Sequence, residues 1–565
     1  MGLVGLHHIT AREKVVVMLA VMSALLLVAL DQTIVSTAVS AIANDFDSFS
    51  SIGFIFTAYM LTTTVMTPLA GKLSDMFGRR LLLLIGVTVF TLSSWMAGHA
   101  ATIDHLIVWR AVQGIGGGII SANAFTIIGD LFSPRERGKW QGLVGAVFGL
   151  SSVAGPLLGG WLTDGAHIFG AVTDWRWTFF VNVPVGIVAL VVIAKYCPPI
   201  KHDTEHHPDY LGAALITATL SALVLAVDNT QIIFMGLIES GITLGAIKAT
   251  LFTLAAVTAG LFIVVERRAK QPIVPLWFFK NRTFILMSSA MLLFGAAFMG
   301  AILYLTQFNQ QVFGATASTA GVMLLPFVGG MMVASITSGQ LASRTGHYKR
   351  FMVAGIAIAA VAIFSLTGLQ PTTPYWQEAI SMIFVGLGMG MVMPLMNLAV
   401  QNEFEQKDLG VATSTVQLTR GLGSTIGVAL LSGVLTAGIV GSLGNPSDIT
   451  YVQQLKSAPE ASMMFEGGDI TADTLLAINA QKDAIRDGAL QGIQASPLPG
   501  AVKNAQAAAF TKVQDEYSAD VVDAFTESLQ TIFLIASSLM AVSLVLVLFV
   551  QEKKLSDGLQ VTPGE

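Results

Sequence analysis

Long apolar runs, each about as long as a bilayer is thick, follow one another along almost the whole of this 565-residue chain. A helix needs about 20 predominantly apolar residues to cross the hydrocarbon layer. Because lipid offers the backbone no hydrogen-bond partner, each run must satisfy its own backbone groups as a helix. Fourteen spans are predicted, at residues 15–38, 52–70, 81–98, 103–129, 140–162, 178–194, 211–227, 244–265, 284–304, 320–341, 351–369, 379–400, 413–439 and 531–549.

A charged turn bracketed by glycines separates the second run from the third, at residues 71–80, and a weaker copy with the same glycine spacing lies at residues 339–350. Aligning the two copies pairs spans 1–6 with spans 9–14 and leaves spans 7 and 8 as an inserted pair. An internal repeat of a membrane hairpin is typical of transporters. The predicted units are an N-terminal six-helix bundle, the inserted helix pair and a C-terminal six-helix bundle, at residues 1–200, 201–270 and 271–565.

Composition and the placement of basic residues set the environment and the orientation. The chain is 53% hydrophobic and 12% charged, against roughly 25% charged in soluble domains, so we expect an all-α integral membrane protein. Lys and Arg concentrate in the loops that follow even-numbered spans, which predicts an inner (plasma) membrane protein with both termini in the cytoplasm. The long polar segment at 441–525 then lies outside, and we expect it to bind a partner, to cover the protein or to be disordered.

Three charged side chains lie deep within predicted spans, where an unpaired charge is costly. Asp31 stands deep in the first span, where burial permits its carboxyl to take up and release a proton. Arg110 and Arg420 lie in the fourth and thirteenth spans, and their candidate partners are Asp31, polar side chains such as Gln113 and Gln417, and backbone carbonyls. We expect these three charges to couple protonation to movement; a structural hydrogen-bonding Asp and structural ion pairs are the alternatives.

Small residues recur about every four positions in the fifth span. Such a stripe lets two helices approach closely, and the proline permits a bend. Packing alone is the simpler interpretation, and packing that also permits sliding is the functional one. The residues are Gly145, Gly149, Gly155, Pro156, Gly159 and Gly160.

Aromatic and polar side chains near the expected pathway are candidates for a cargo cavity, namely Phe54, Tyr59, Gln113, Phe298 and Tyr304. Core packing or lipid contact is the alternative for most of them. A deformable apolar cavity suits lipophilic compounds, and cations especially if a carboxylate faces them.

Motifs for cofactor or metal chemistry are not found. No Walker-type loop occurs, so we expect any work to be driven by a gradient. No cofactor and no metal are predicted, and the His-containing connector at 201–207 is interpreted as a solvated loop. Cys197 is the only cysteine, which excludes an intramolecular disulfide. Catalysis is not expected, because no nucleophile, base and orienting group recur at membrane depth.

These motifs together resemble the major facilitator superfamily, and in particular its fourteen-span drug:proton antiporter branch of the EmrB/QacA type. Residues 71–80 resemble the loop between spans 2 and 3, and residues 110–114 resemble the motif of the fourth span. The stripe from Gly145 to Gly160 is similar to the antiporter motif of the fifth span. Residues 30–35 and 175–184 are similar to sequences characteristic of the branch.

The resemblance implies two pseudo-symmetric six-helix bundles that rock around a central cavity. It implies a cytoplasmic latch formed by the charged turn with Asp130, and proton coupling through Asp31 and Arg110. Ser343 replaces the acidic residue that would match Asp75, so a latch in the second half is expected to be weaker or absent. The latch residues are Gly71, Asp75, Gly78, Arg79, Arg80 and Asp130.

Three functions remain open from the sequence. The first is a proton-coupled multidrug efflux antiporter that exports lipophilic, often cationic compounds. The second is an exporter of lipids or cell-envelope components on the same fold, and the third is a non-transporting receptor or scaffold. Expected partners are a small lipophilic substrate, protons and the bilayer, with no nucleic acid. We expect a monomer, with a possible envelope partner at residues 441–525.

Overall fold

A computed structural model gives the fold. It describes residues 10–556 except 47–51, 164, 169, 200–208, 228–229, 316, 445–448, 458–471 and 498. The connector at 201–207, interpreted above as a solvated loop, lies outside the described residues.

Fourteen helices of the described chain are long and apolar enough to cross a membrane, as the sequence predicts. A short helix, Trp177–Phe180, leads into the sixth. In chain order they are α1 (Ala11–Asp45), α2 (Ile52–Phe77), α3 (Arg79–Gly98), α4 (Ile103–Leu131), α5 (Pro134–Thr163), α6 (Asn182–Tyr196), α7 (Tyr210–Val227), α8 (Leu244–Glu266), α9 (Arg282–Gln311), α10 (Leu325–Thr345), α11 (Lys349–Ser365), α12 (Tyr375–Gln401), α13 (Leu409–Leu443) and α14 (Gly500–Leu548).

Short elements connect these helices. Two strands, β1 (His167–Ile168) and β2 (Ala171–Val172), pair antiparallel between α5 and α6. The remaining short α-helices are Thr230–Ile233, Met235–Glu239, Ala317–Met323, Thr450–Ser457, Ala472–Ala480 and Lys482–Ala495. Turns of 3-10 helix are Leu276–Lys280, Leu366–Gly368 and Gln406–Asp408.

Local sequence signals explain where several helices begin and end. Thr10 and Glu13 form a capping box at the start of α1, which satisfies backbone N–H groups that have no partner within the helix. The Thr102 side chain accepts from the backbone of His105 at the start of α4. Gly78 separates α2 from α3 with a φ of 100°, a conformation that residues with a Cβ rarely adopt.

The two halves repeat the same packing pattern with an offset of eight helices. In the first half α2 and α3 pack on α4, α1 packs on α5, and α6 packs on both α1 and α3. In the second half α10 and α11 pack on α12, α9 packs on α13, and α14 packs on both α9 and α11. This pattern agrees with the pairing of spans 1–6 with spans 9–14. The helices α7 and α8 pack against each other, and α7 also contacts α2 and α13.

Contacts between the halves follow the same symmetry. α5 of the first half packs along α10 of the second, and α2 packs on α13. Under the offset of eight helices, α10 corresponds to α2 and α13 corresponds to α5. The contact between α5 and α10 therefore corresponds to the contact between α2 and α13. We call the end of the molecule that carries residues 71–80 and 339–350 the charged end.

The last helix is much longer than the sequence predicts. Its apolar part was expected at 531–549, and the helix begins at Gly500 and runs for 49 residues. At 1.5 Å per residue it is about 74 Å long, more than twice the ~30 Å of the hydrocarbon layer. Residues 505–525, in the polar segment, are helical and continuous with the final span.

The polar segment before α14 folds against the second half. Tyr517 Oη donates to the carbonyl of Leu475 over 2.8 Å, and Asn479 Nδ2 donates to Gln311 Oε1 at the end of α9 over 3.0 Å. Among the three alternatives for residues 441–525, its described parts therefore cover the end of the second half that lies away from the charged end.

Candidate functional site

A cavity of about 360 Å³ lies between the two halves. The first half contributes α1, α2, α4 and α5, and the second contributes the corresponding α9, α10, α12 and α13. Most lining side chains are aromatic, thioether, hydroxyl or amide groups. They include Phe125, Phe148, Phe294, Phe298, Phe327, Met60, Met299, Met331, Met393, Gln32, Thr64, Ser152 and Gln417.

Of the five side chains predicted for the cavity, only Phe298 lines it. Tyr59 is 1% exposed and packs inside the first half, and Tyr304 is 1% exposed in the core of the second half. Gln113 is fully buried beside Asp31. Phe54 is half-buried on α2 and does not line the cavity. The prediction was wrong for these four because membrane depth does not show towards which neighbour a helix face turns.

Asp31 is fully buried within the first half and is held by three side chains. Arg110 Nη1 on α4 donates to Asp31 Oδ2 over 2.5 Å. Gln113 Nε2 and Asn182 Nδ2 donate to Oδ1 over 2.8 and 3.1 Å. An ion pair with two further donors compensates for the desolvation of a buried carboxylate. Of the partners that the sequence left open, the structure brings Arg110 and Gln113 to Asp31; the contribution of Asn182 was missed.

Aromatic rings enclose the Arg110 guanidinium. Its centre lies 4.2 Å from the ring centroid of Tyr59 and 5.8 Å from that of Phe179. The ring faces are negative, so they attract the cation in addition to the carboxylate. Tyr59 lies near the start of α2, and the charged turn lies at the other end of this helix. The Asp31–Arg110 pair and the side chains around it therefore connect α1, α2, α4 and α6.

A second connection joins the helix of Asp31 to α5. Thr33 Oγ1, two residues beyond Asp31, donates to the carbonyl of Ser151 on α5 over 2.9 Å. A Cβ on Gly155 would lie 1.9 Å from Thr33 Oγ1, and a Cβ on Gly159 would lie 2.1 Å from Thr37 Oγ1. These two glycines therefore let α1 and α5 touch.

The remaining part of the small-residue stripe faces the other half. A Cβ on Gly145 would lie 2.0 Å from Ser335 Oγ on α10, and one on Gly149 would lie 2.4 Å from Met332 Cγ. The close approach extends to Gly138, whose Cβ would lie 2.8 Å from the carbonyl oxygen of Gly339. Gly160 has open space around it. Thus one helix uses two sets of glycines, one towards α1 and one towards α10.

The charged turn forms a buried network at the charged end. Arg79 pairs with Asp75 on one side, and its Nε donates to Asp130 Oδ2 over 2.8 Å on the other. Asp75 Oδ2 accepts from the backbone N–H of Val411 over 3.0 Å. Val411 lies in the first turn of α13, where free N–H groups and the helix dipole favour a carboxylate. Three of the predicted latch residues, Asp75, Arg79 and Asp130, therefore meet, and Asp75 reaches the second half.

Gly71 and Gly78 support this network, and Arg80 lies beside it. A Cβ on Gly71 would lie 2.2 Å from Ser414 Oγ on α13, so Gly71 permits the contact between halves. Gly78 provides the positive φ of the turn. Arg80 donates to the carbonyl of Ala194 on α6, within its own half.

A second set of polar contacts joins the halves at the charged end and was missed by sequence reasoning. Gln141 Nε2 on α5 donates to Gln401 Oε1 on α12 over 2.7 Å, and Arg137 Nη1 donates to the carbonyl of Gln401 over 3.3 Å. Arg135 donates to the carbonyls of Ser343 and Arg344. From the sequence, the basic residues of this loop predict the orientation of the spans and not these contacts. Backbone carbonyls as partners leave no signal in a sequence.

In the second half, the C-terminal segment binds the charged turn at residues 339–350. Glu552 Oε1 accepts from the backbone N–H groups of Tyr348 and Lys349, over 2.7 and 2.8 Å, at the start of α11. Burial opposes ionisation of Glu552, but these hydrogen bonds and one from His347 outweigh it and lower the pKa of the carboxyl. The second turn is therefore bound by a residue of its own half that lies far along the chain, in addition to Arg135 of the first half.

Arg420 lies apart from Asp31, on the cavity wall of the second half. Its Nε donates to Gln417 Oε1 over 3.1 Å. It forms no ion pair with a carboxylate of the described residues. The hypothesis that Arg420 pairs with Asp31 is therefore not realised in this arrangement.

Two halves of matching architecture share one central cavity, as a membrane transporter requires. The fold and the site therefore define the class of membrane transporters. The chain belongs to the Major Facilitator Superfamily, whose profile matches residues 21–428. The resemblance to this superfamily and the predicted all-α membrane fold are thereby confirmed.

Comparison with known proteins adds relatives and a fold neighbour. The chain is 34% identical over 530 residues to "Multidrug transporter protein MdtP" of Bacillus subtilis (strain 168), with 94% of this chain and 91% of that protein covered. It is 34% identical over 430 residues to "Multidrug resistance protein 3" of the same organism, with 74% and 79% covered. A solved structure of the proton:xylose symporter XylE has a TM-score of 0.53 at 15% identity, with 76% of this chain and 91% of that chain covered. At that identity it supports the fold alone.

Proposed function

We propose that this protein is a multidrug efflux antiporter that exports lipophilic compounds through the central cavity in exchange for protons. The observation that carries the proposal is the buried Asp31–Arg110 pair behind a cavity lined by both halves. Relatives named as multidrug transporters support the class of cargo. From the distribution of Lys and Arg we infer an inner (plasma) membrane protein with cytoplasmic termini. We expect it to act as a monomer.

The proposed role of Asp31 is to bind and release the transported proton. As long as Asp31 is ionised, its pair with Arg110 is favourable; protonation removes that attraction and leaves Arg110 to the Tyr59 ring. Two contacts carry the change towards the other half. One is the hydrogen bond from Thr33 on α1 to Ser151 on α5, a helix that packs along α10. The other is α2, which carries Asp75 to α13.

The proposed movement is a rocking of the halves about their two contact pairs. The buried contacts of Asp75, Arg137 and Gln141 close the charged end in the arrangement described here. If the charged end faces the cytoplasm, this arrangement is the one that precedes cargo release to the outside. Opening the charged end then requires those contacts to break, and a cavity of aromatic and thioether side chains accommodates apolar cargo of different shapes.

The cargo expected from the sequence is often cationic, but among the described residues the cavity lining contains no carboxylate that would favour a cation. Asp31 is enclosed within the first half.

The proposal is tested with purified protein in lipid vesicles that carry an imposed pH gradient. Two fluorescent probes on one scaffold, naphthylmethanesulfonate and naphthylmethyl-trimethylammonium, keep their charge at every pH used. We expect at least one of them to move against its own gradient, and the movement to stop when an ionophore collapses the pH gradient. Asp31→Asn should abolish the gradient-driven part. Asp104→Asn, at an exposed position in the first turn of α4, serves as the matched control.

Two outcomes contradict the proposal. One is that neither probe responds to the gradient in protein that elutes as a folded monomer. The other is that Asp31→Asn retains gradient-driven movement at the rate of the control. Gradient-driven movement of fluorescent lipids alone would transfer the proposal to the lipid exporter that the sequence also left open.

A further inference from the structure

The charges on the cavity wall contradict a pocket built for cations. Among the lining residues of the described chain, Arg420 is the only charged side chain. Two buried carboxylates of the first half are paired away from the cavity, Asp31 with Arg110 and Asp75 with Arg79. A cation that enters the cavity therefore meets a like charge in a setting with little water, where repulsion is strong.

Arg420 has more hydrogen-bond donors than the described residues use. A guanidinium has five N–H groups and no acceptor. One of them, on Nε, donates to Gln417 Oε1 over 3.1 Å, and within the described part of the chain Gln417 is its only side-chain partner. The remaining N–H groups are available to whatever occupies the cavity.

Gln417 adds a second donor without an acceptor. Since Arg420 can only donate, the oxygen of the Gln417 amide must be the atom that faces Nε, and this fixes Nε2 on the other side. Gln417 Nε2 is buried and has no hydrogen-bond partner among the described residues. A buried donor without an acceptor costs about 1–3 kcal/mol. The two neighbouring side chains thus present donors and lack acceptors.

The helix that packs beside Arg420, α9, supplies an apolar surface of the same cavity. Phe294 and Phe298 stack with centroids 5.6 Å apart, and Phe298 lies 6.3 Å from Phe327. Both Phe294 and Phe298 line the same cavity as Arg420, as do Met299 and Met331. An occupant that satisfies this lining has an apolar, preferably aromatic, body and an acceptor group with negative charge.

We propose that the cavity selects amphipathic anions, and that Arg420 and Gln417 bind the oxyanion group of the cargo while the phenylalanine cluster binds its apolar body. The proposal rests on the proposed export function and assigns its substrate class. It also moves Arg420 from the group of proton-coupling residues to cargo recognition. An arginine fits a carboxylate, sulfonate or phosphate with two parallel hydrogen bonds, which gives geometric selection as well as attraction.

Binding measured without a gradient tests the substrate class independently of transport. The protein in nanodiscs is titrated with naphthylmethanesulfonate and with naphthylmethyl-trimethylammonium by calorimetry, against empty nanodiscs. We expect the sulfonate to bind at least about tenfold more tightly, since a hydrogen bond to a charged group is worth about 1.5–3 kcal/mol. Arg420→Gln should weaken the sulfonate by about tenfold to a hundredfold and leave the ammonium unchanged or tighter.

Two variants keep the result interpretable. Arg176→Gln makes the same exchange at a partly exposed arginine that pairs with Asp45 and Asp174 between α5 and α6, and it should bind both probes as the wild type does. Arg420→Lys keeps the charge without the planar fork, so it should retain part of the preference. Elution as a folded monomer and an unchanged melting temperature exclude a general loss of structure.

The source of the anion is resolved by a parallel arm with lipids. Fluorescent phosphatidylglycerol and phosphatidylcholine are compared in vesicles for movement between leaflets. Movement of the acidic lipid alone, lost in Arg420→Gln, identifies an acidic lipid as the cargo; movement of the sulfonate alone identifies a small organic anion. Either result supports the proposal.

Tighter binding of the ammonium by the wild type, or a probe preference that is the same in Arg420→Gln and Arg176→Gln, overturns the substrate class. Such a result leaves the export function intact if the gradient still drives one probe. Conversely, a clear preference for the anion without gradient-driven movement of any probe preserves the binding site and contradicts the export function.

Discussion

At the scale of single residues, the membrane depth of a charge was predictable and its partner was not. The apolar run around Asp31 shows that this carboxyl lies far from bulk water, and the structure buries it completely. The choice of Arg110 over Arg420 depends on how the helices pack, and neither local pattern nor spacing contains that information. Asn182 and Gln401 were missed for the same reason, since a lone amide in an apolar run carries no signal of its partner.

Glu552 gives a pH prediction outside the spans. Its pKa is lowered in the folded protein, so it stabilises docking of the C-terminal segment above the ordinary pKa of a Glu, and this contribution is lost as the pH falls through the lowered pKa. Glu552→Gln removes the charge at the start of α11 and should weaken docking by about 1 kcal/mol, as loss of a helix cap does. Hydrogen exchange of residues 549–556 should be faster in the variant at neutral pH.

The control for this prediction is Glu516→Gln, at an exposed position of α14 whose carboxylate pairs with Lys512 in the same helix. Its exchange at 549–556 should match the wild type. In acid, after correction for the chemical exchange rate, the wild type should approach the variant. Equal protection in wild type and Glu552→Gln at neutral pH would show that this carboxylate does not hold the segment.

At the scale of helices, the number and the type were predictable and some of the ends were not. Hydropathy defines a span because the bilayer sets its length, and all fourteen were found. It does not define where a helix ends in water, and α14 continues far beyond its apolar part. The glycine stripe of α5 was visible as a period of about four. That it serves two different neighbours follows only from the packing.

Gly145→Ala tests the contact between α5 and α10. The added Cβ would lie 2.0 Å from Ser335 Oγ and 2.8 Å from Ser335 Cβ, and overpacking of this kind costs about 1–3 kcal/mol. Since this contact joins the halves, the substitution should destabilise the arrangement described here more than it destabilises the fold of either half. We expect slower gradient-driven transport, measured as an initial rate in vesicles, with little change in the amount of folded protein.

The same substitution at Gly160, which has open space around it, is the matched control and should transport at the wild-type rate. The double variant Gly145→Ala/Ser335→Gly removes both clashing atoms and should recover much of the lost rate, as coupled neighbours do. Equal rates for Gly145→Ala and Gly160→Ala would mean that close approach at this position is not needed for transport.

At the scale of the whole molecule, the repeat predicted from two charged turns extends to the main packing pairs within each half. The first turn reaches α13 through the Asp75 carboxylate, whereas the second turn reaches the first half through backbone carbonyls that accept from Arg135. The second turn also binds Glu552 of its own half. Glu552 lies more than 200 residues away and was not predictable from the turn.

The central claim is that protonation of Asp31 is linked to opening of the charged end. The arrangement described here is closed at that end and keeps Asp31 paired with Arg110, which favours the ionised carboxylate. Linkage then requires acid to favour an arrangement in which the pair is broken. Loss of the charge by substitution should have the same effect at every pH.

The most direct measurement is the distance between spin labels at Phe77 and Glu405, exposed positions on the two sides of the latch. Cys197 is buried, and burial raises the pKa of its thiol to about 12, so it remains unlabelled. We predict that a longer distance gains population in the wild type when the pH is lowered, because protonation of Asp31 removes its attraction to Arg110. Asp31→Asn should show the longer distance throughout, and an unchanged pH response in Asp31→Asn would contradict the account.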